Sequence, residues 1–217
     1  MNLSRQSGIL PRSVIEKSQV TLIGAGAIGS WTAIILTKMG VPKITIYDND
    51  VVSPENPSLQ NYRPQKDLGK KKVDALKEIL EDFSTSEVIA IPELFTGKIR
   101  PKGYVISAVD SMDARIEIWN NSIRYNLNVP LYIEARMGAE ELRVYSVNPM
   151  DIKEVQKYET FLYPSSKAFH APCTAKAIAY TPSIAAGIIG RELKAHLTGE
   201  GVAFENILGL KSRMWVV

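Results

Sequence analysis

Three glycines in the segment TLIGAGAIGSWTA constrain the fold more than any other feature of the sequence. Gly24, Gly26 and Gly29 follow the short apolar run Val20–Ile23 and precede a stretch of helical length that ends before Gly40. In such a strand–turn–helix unit the first glycine permits a tight turn, the second lets a phosphate approach the backbone, and the third lets helix and strand pack closely. The pattern predicts an α/β fold that binds a nucleotide.

The remaining apolar patterns extend this unit to a doubly wound, mostly parallel, Rossmann-like sheet. Predicted helices are Ser30–Met39, Lys70–Phe83 and Asp113–Asn126, and predicted strands are Lys43–Tyr47, Val88–Ile91 and Tyr104–Val109. An antiparallel extension is expected from Leu131 onward, with strands Leu131–Ala135 and Glu141–Val147, a helix around Ser183–Leu197 and one or two strands in ILGLKSRMWVV.

The length predicts one domain over residues 1–217. We divide it into a nucleotide-binding core (1–150), a crossover segment (151–182) and a C-terminal helix with strands (183–217). The part of the crossover between Asp151 and Pro172 has no clear period and contains two prolines, so we expect a mobile connection there.

Composition narrows the classes of function. The net charge of +3 is too small to indicate a nucleic-acid partner by itself. With one cysteine, Cys173, and two histidines, neither a disulfide nor a structural zinc site is expected. The first residues do not resemble a signal peptide and no apolar run reaches membrane-spanning length, so we expect a cytoplasmic protein without membrane contact.

Charged residues after the predicted strands favour ATP with Mg²⁺ over NAD. Asp48 lies where an acid can accept hydrogen bonds from a ribose, and Asp50 adds a second carboxylate of the kind that Mg²⁺ prefers. Asp110 follows another strand and should reach the same sheet edge, and Lys72 opens a helix from which it can contact phosphates. An NAD-dependent oxidoreductase needs neither the metal nor the lysine, and it stays open as an alternative.

The ordered motifs GAGAIGSWTA, DNDVVSPENPSLQNYRPQKDLGKKKVDAL and SAVDSMDAR resemble the ThiF/MoeB family, the adenylating core of ubiquitin-activating enzymes. The resemblance implies that Asp48 holds the ATP ribose and that Asp50 and Asp110 hold Mg²⁺. It also implies that Asn56 and Lys72 contact the phosphates.

The same resemblance places two further residues. Arg5 matches an arginine that family members insert into the active site of a partner subunit, so a homodimer is expected. Gln60 is kept from the N-x-x-R-Q element, but Leu59 stands where the family has arginine. Either Arg63 substitutes for this missing cation, or the chain is a weakened or silent subunit of a heterodimeric enzyme.

The resemblance further implies that an acyl adenylate forms on the C-terminal carboxylate of a small ubiquitin-like or sulphur-carrier protein. Cys173, in HAPCTAKA, resembles the cysteine that accepts the acyl group as a thioester. Either a helix start or the nearby His170 could lower the pKa of its thiol, and an exposed side chain is the alternative role for His170. A small apolar residue packed in the domain is the alternative role for Cys173. Adenylation of a peptide or of an RNA-borne carboxylate also stays open.

Overall fold

The computed structural model describes residues 1–84, 86–167 and 177–217. The helices in these ranges are α1 Arg12–Ile15, α2 Ala27–Met39, α3 Lys72–Glu81, α4 Met112–Ile118, α5 Ile152–Glu159 and α6 Tyr180–Thr198. The strands are β1 Gln19–Ile23, β2 Lys43–Tyr47, β3 Glu87–Ile91, β4 Tyr104–Ser107, β5 Tyr132–Gly138, β6 Glu141–Val147, β7 Glu205–Gly209 and β8 Met214–Val216. Short helical turns cover Asn56–Ser58, Trp119–Ile123 and Ser165–Lys167.

The strands form one sheet in the order β3-β2-β1-β4-β5-β6-β7-β8. Strands β1 to β5 run parallel, and β6, β7 and β8 are added antiparallel at one side. The predicted α/β class, with its mostly parallel doubly wound sheet and antiparallel extension, is therefore confirmed.

Alternating strand residues feed a separate apolar core on each face of the sheet. Ile106 and Ile133 belong to the core that also contains residues of α2, α3 and α6. Val105 and Tyr132 point the other way, into a core with Val155 of α5. Period-two alternation along β4 and β5 thus places helices on both faces, as in doubly wound sheets.

Strand order also defines where a ligand can bind. β1 lies between β2 and β4 in the sheet. The chain continues from β1 to β2 and β3 on one side, and then crosses to β4 and β5 on the other side, which makes a topological switch point at β1. At that edge the Gly24 N–H donates to the Tyr47 carbonyl (2.8 Å) and the Ala108 N–H donates to the Ile23 carbonyl (2.8 Å). These bonds hold the carboxyl ends of three strands together.

Two predicted elements needed correction. The segment expected to be an irregular crossover from Asp151 contains α5, because the Asp151 carboxylate caps the N–H groups of Lys153 (2.8 Å) and Glu154 (3.2 Å) while Val155 and Tyr158 are buried one turn apart. The helix expected over Asp113–Asn126 ends at Ile118 and continues as a wider turn, closed by the Arg124 N–H on the Trp119 carbonyl (2.9 Å).

The lengths and polarities of the helices relate to the prediction that no segment spans a membrane. Within the described ranges, none of the helices combines the length and the apolar character required to cross a bilayer.

Candidate nucleotide site

The glycine turn gives a steric reason for glycine at two of its three positions. Gly24 has φ +97°, and a Cβ there would lie 2.7 Å from the Ala108 carbonyl oxygen. A Cβ on Gly29 would lie 1.9 Å from the Gly24 carbonyl oxygen, so α2 can approach β1 this closely only with glycine. A Cβ on Gly26 would meet nothing within 4 Å among the described residues, so the turn is open on that side.

The open side coincides with the start of α2. Gly26 is the N-cap residue and has no side chain to occupy the first N–H groups of the helix. Those N–H groups and the helix dipole attract an anion, most simply a phosphate. The contact of Gly24, Gly26 and Gly29 with a nucleotide remains a prediction, but the backbone geometry fits one.

Asp48 is already engaged by the backbone of the turn. Its Oδ2 accepts the Ala25 N–H (2.7 Å) and its Oδ1 accepts the Asp50 N–H (2.8 Å). Asp48 therefore shapes the turn at the end of β2. Each carboxylate oxygen retains a second lone pair, so the predicted acceptance of ribose hydroxyls is compatible with this role.

Asp50 and Lys72 form an ion pair at the start of α3. The Lys72 Nζ lies 2.7 Å from the Asp50 Oδ2, and the Lys72 N–H donates to the Asp50 carbonyl (3.0 Å). The Lys72 side chain is 8% exposed, whereas that of Asp50 is 61% exposed. The residue predicted to bind phosphate and the residue predicted to bind Mg²⁺ are thus brought into contact.

Asp110 is an exposed residue that follows β4, next to the N-cap residue Ser111 of α4. Because β4 and β2 flank β1, Asp110, Asp48 and the glycine turn share the carboxyl edge of three neighbouring strands. In the described part of the chain, no three His, Cys, Asp or Glu side chains cluster as a metal site would require. Carboxylates at this edge would need phosphate oxygens or water to complete a Mg²⁺ shell.

The loop from Val52 to Lys70 folds back over α2. Asn56 starts a short helical turn, and its Oδ1 accepts the Ser53 N–H (3.0 Å). The buried Gln60 Oε1 has no hydrogen-bond partner among the residues described. Contacts of Asn56 and Gln60 with a nucleotide stay predictions.

Leu59, in the place of the family arginine, lines an apolar surface. Its carbonyl accepts the Trp31 indole N–H (3.1 Å), and the residue borders an open cavity of about 480 Å³ together with Trp31 and Phe83. An arginine side chain at this position would meet a largely apolar wall.

Arg63 is held by three carboxylates. Its guanidinium pairs with Asp67 (2.8 Å), Glu78 (3.1 Å) and Asp82 (3.6 Å). The hydrogen bonds to Asp67 raise the pKa of Arg63 further above its usual value. The prediction that Arg63 replaces the missing phosphate cation is untested, and this geometry assigns its charge to the loop and α3.

Arg5 is exposed and lies far from the glycine turn of its own chain. The neighbouring Gln6 donates from Nε2 to the Lys38 carbonyl (2.7 Å), in the last turn of α2. With 13 residues, α2 is about 20 Å long, and the glycine turn lies at its other end. Cys173 and His170 fall outside the described residues.

Two sets of residues were given no role from the sequence. The Tyr62 hydroxyl donates to the Ala25 carbonyl (2.6 Å) and so fixes the glycine turn. A buried cluster of Arg115, Glu134 and Arg136 lies behind Asp110. Tyr62 and Arg115 both lie within the motifs that resemble the family, and this is the sequence signal that could have identified them. Their contacts join residues far apart in the chain, so the sequence does not predict their roles.

Comparisons with known proteins agree with this architecture. A family model described as the ThiF family matches residues 4–214. The tRNA threonylcarbamoyladenosine dehydratase of Bacillus subtilis is 29% identical over 58% of this chain and 50% of its own length. The ubiquitin-like modifier-activating enzyme 5 of Drosophila mojavensis is 28% identical over 59% of this chain and 36% of its own length.

Solved structures show the same fold at lower identity. PaaA superposes with a TM-score of 0.73 and 21% identity over 94% of this chain and 64% of its own. The structure of E. coli MccB with ATP superposes with a TM-score of 0.70 and 16% identity, over 94% of this chain and 64% of the MccB chain. The chain spans half or less of the curated relatives' length and slightly under two thirds of these structures.

Proposed function

The chain belongs to the ThiF family, and on that premise we propose that it binds ATP and adenylates a substrate carboxylate with release of pyrophosphate. One observation carries the proposal. The open glycine turn, the Asp50–Lys72 pair and Asp110 meet at the carboxyl edge of β2, β1 and β4. Ligands bind at this switch point in doubly wound sheets.

ATP is assigned by the chemistry of the groups at this edge. Gly26 and the start of α2 receive the phosphates, and the ammonium group of Lys72 adds a nearby positive charge. The carboxylate of Asp48 holds the ribose, while Asn56 and Gln60 supply polar contacts from the loop.

Asp50 and Asp110 are the proposed Mg²⁺ ligands. Carboxylate oxygens together with phosphate oxygens are the donors that this ion takes. A bound Mg²⁺ would supply neutralisation of the triphosphate charge. Binding of the nucleotide would then separate Asp50 from Lys72 and give each residue its own ligand.

The reaction needs positioning and charge neutralisation rather than a base. A carboxylate oxygen of the substrate attacks the α-phosphorus of ATP, and the bond from that phosphorus to the bridging oxygen breaks, with its electrons leaving on pyrophosphate. The substrate is already ionised at neutral pH, so no proton has to be removed. Lys72, together with Arg5 from a partner subunit, stabilises the charge that develops on the leaving group.

The proposed substrate is the C-terminal carboxylate of a small ubiquitin-like or sulphur-carrier protein. Support comes from the relative named as a ubiquitin-like modifier-activating enzyme. The structures of MccB solved with the MccA peptide, and the relative named for tRNA modification, favour a peptide or RNA-borne carboxylate as the alternative. Transfer from the adenylate to Cys173 as a thioester is part of the proposal for the carrier.

We also propose that residues 1–217 act as one adenylation domain in a cytoplasmic homodimer. The strands of the nucleotide-binding core (1–150) and those of the C-terminal segment (183–217) share one sheet, which supports a single domain. The distance of Arg5 from the turn of its own chain supports its insertion into a partner's site. Leu59 favours the competing function, a silent subunit that binds a partner without catalysis.

Exchange of labelled pyrophosphate into ATP tests the proposal. The purified protein is assayed with Mg²⁺, with and without candidate carrier proteins, beside Asp110→Asn and the exposed control Asp74→Asn. We expect carrier-dependent exchange that falls at least about 100-fold in Asp110→Asn and is unchanged in the control, as for a group that stabilises developing charge.

The other outcomes decide between the alternatives. Binding of NAD instead of ATP would overturn the proposal. ATP binding without exchange, with every carrier, peptide and RNA substrate tested, would favour the silent subunit that Leu59 suggests.

A further inference from the structure

A buried ionic cluster lies behind the candidate site, where α4 and α5 pack on β5. The Glu134 carboxylate receives Arg115 Nε on Oε1 (2.6 Å) and Arg136 Nη2 on Oε2 (2.7 Å). The Tyr158 hydroxyl donates to the same Oε2 (2.9 Å). Glu134 is fully buried, and the side chains of Arg115 and Arg136 are 7% and 15% exposed.

Stability alone does not explain such a cluster. Each ion loses several kcal/mol of hydration on burial, and apolar side chains of similar volume often stabilise a core equally well. Burial would raise the pKa of Glu134, but the charge of Arg115 and the hydrogen bonds of Arg136 hold that pKa below its usual value, so the carboxylate stays ionised. The cluster therefore acts as a fixed set of charged hydrogen-bond donors and acceptors.

Each arginine also donates to a backbone carbonyl outside β5, in addition to the bond from Arg115 Nη2 to the Ala135 carbonyl (3.3 Å) within that strand. Arg115 Nη2 donates to the carbonyl of Val109, the residue that precedes Asp110. Arg136 Nη1 donates to the carbonyl of Phe161, just beyond the end of α5 (2.9 Å). One buried carboxylate thereby links the backbone at Asp110 to the chain that leaves α5.

The chain beyond Phe161 returns to the same place. The Ser165 N–H donates to the Asp113 carboxylate (3.1 Å), and the Asp113 N–H donates to the Ser165 hydroxyl (3.0 Å). Residues 161–167 and the start of α4 are therefore joined directly, as well as through the cluster. Asp110 lies between these two attachments.

We propose that Arg115, Glu134 and Arg136 are positioning residues that hold the backbone of Asp110 and couple it to residues 161–167. Their effect on ATP rests on the proposed function, because it requires Asp110 to bind Mg²⁺. Their effect on the backbone does not. Side chains that orient a metal ligand change metal affinity by roughly 10- to 100-fold when they are removed.

The backbone part is tested by amide hydrogen exchange. Arg115→Lys keeps the charge but loses the planar fork that bonds Glu134 and Val109 together. Arg124→Lys is the matched control, because Arg124 pairs with Glu159 (2.9 Å) near the same core but is 39% exposed. We expect faster exchange over residues 108–114 and 161–167 in Arg115→Lys alone.

The functional part is tested by binding of a fluorescent ATP analogue in a double-substitution cycle. Arg115→Lys should weaken binding about tenfold in Mg²⁺ and leave binding in EDTA unchanged. It should have no further effect when combined with Asp110→Asn.

The outcomes separate the two proposals. Unchanged hydrogen exchange in folded Arg115→Lys would overturn the positioning role. If Arg115→Lys weakened ATP binding equally in the wild-type and the Asp110→Asn backgrounds, the cluster would have only a structural role. Failure of the wild type to bind ATP, with exchange altered as expected, would overturn the proposed function only. If Arg115→Lys does not fold, Arg136→Lys takes its place, and exchange over 161–167 should then rise first.

Discussion

At the scale of single residues, Ala25 shows how tightly the glycine turn is held. Its N–H donates to the Asp48 carboxylate (2.7 Å), and its carbonyl accepts the hydroxyl of Tyr62 (2.6 Å). Ala25 is fully buried and Tyr62 is 4% exposed. Burial, followed by the charge of Asp48, raises the pKa of the Tyr62 hydroxyl well above its usual value, so the hydroxyl stays protonated, and a donor, at neutral pH.

Replacing Tyr62 by Phe should loosen the turn without opening a cavity. The substitution leaves the ring in place and the Ala25 carbonyl without its partner, which costs about 1–3 kcal/mol in a buried setting. We expect a loss of this size in urea unfolding, together with weaker ATP binding. Tyr104→Phe is the control, because the Tyr104 hydroxyl contacts His196 (3.2 Å) rather than the turn. Equal ATP affinity in Tyr62→Phe and wild type would contradict a role in the turn.

At the scale of elements, the loop from Val52 to Lys70 depends on one buried carboxylate. Asp67 is fully buried and accepts the Arg63 N–H (2.7 Å) as well as its Nε (3.0 Å) and Nη2 (2.8 Å). Burial opposes ionisation of Asp67, yet the hydrogen bonds and charge of Arg63 hold the pKa of this carboxyl below its usual value. Arg63 then reaches α3 through Glu78, so the loop and the helix are tied together.

Asp67→Asn should therefore destabilise the fold in a pH-dependent way. A carboxyl whose pKa is lowered by folding stabilises above its unfolded pKa of about 3.9, and this contribution is lost as the pH falls through the folded value. We expect the variant to be less stable by about 1–3 kcal/mol at pH 7, the cost of weakening buried hydrogen bonds to a charged group. The difference from wild type should shrink below about pH 4.

Urea unfolding at pH 7, 5 and 3.5 measures both effects on variant and wild type. Glu16→Gln serves as the control, because Glu16 is 54% exposed and pairs only loosely with Arg12 (3.6 Å). A difference at pH 7 that persists unchanged at pH 3.5 would mean that the volume or polarity of the side chain, and not its charge, stabilises the loop.

Elements with a strong local pattern were predictable from the sequence. The bounds of Lys43–Tyr47 and Glu141–Val147 agree with the strands of the structure because alternation or a bounded apolar run defines them locally. Helix α5 was missed because only Val155 and Tyr158 mark its buried face, and their partners lie on other elements.

For the candidate site too, the residues were predictable from the sequence, but their long-range contacts were not. Its acids and its lysine could be named from the order of motifs. The pairing of Lys72 with Asp50 and of Arg63 with Glu78 joins residues 22 and 15 positions apart. Only the folded loop brings these groups together, so the sequence did not predict which charges are already paired.

At the scale of the whole molecule, the position of Arg5 requires a second chain for the proposed reaction. Gln6 ties the N-terminal segment to Lys38, and α2 separates that point from the glycine turn by about 20 Å. An arginine side chain reaches less than half as far. In a symmetric dimer, each N-terminal segment would instead lie over the partner's turn, and each site would combine residues of both chains.

Mixing two inactive variants tests this arrangement. Arg5→Ala and Asp110→Asn should each lose pyrophosphate exchange alone, because every site of either homodimer lacks one essential group. After subunit exchange, half of the dimers are mixed, and each mixed dimer has one site with both groups intact. Activity should therefore return to about a quarter of the wild-type level if the dimer is symmetric and the chains mix freely. Arg12→Ala, which removes an exposed arginine whose partner among the described residues is Glu16, should stay active throughout. If the mixture stays as inactive as its components although mixed dimers are present, Arg5 does not act across the interface, and the site must obtain its second cation from its own chain.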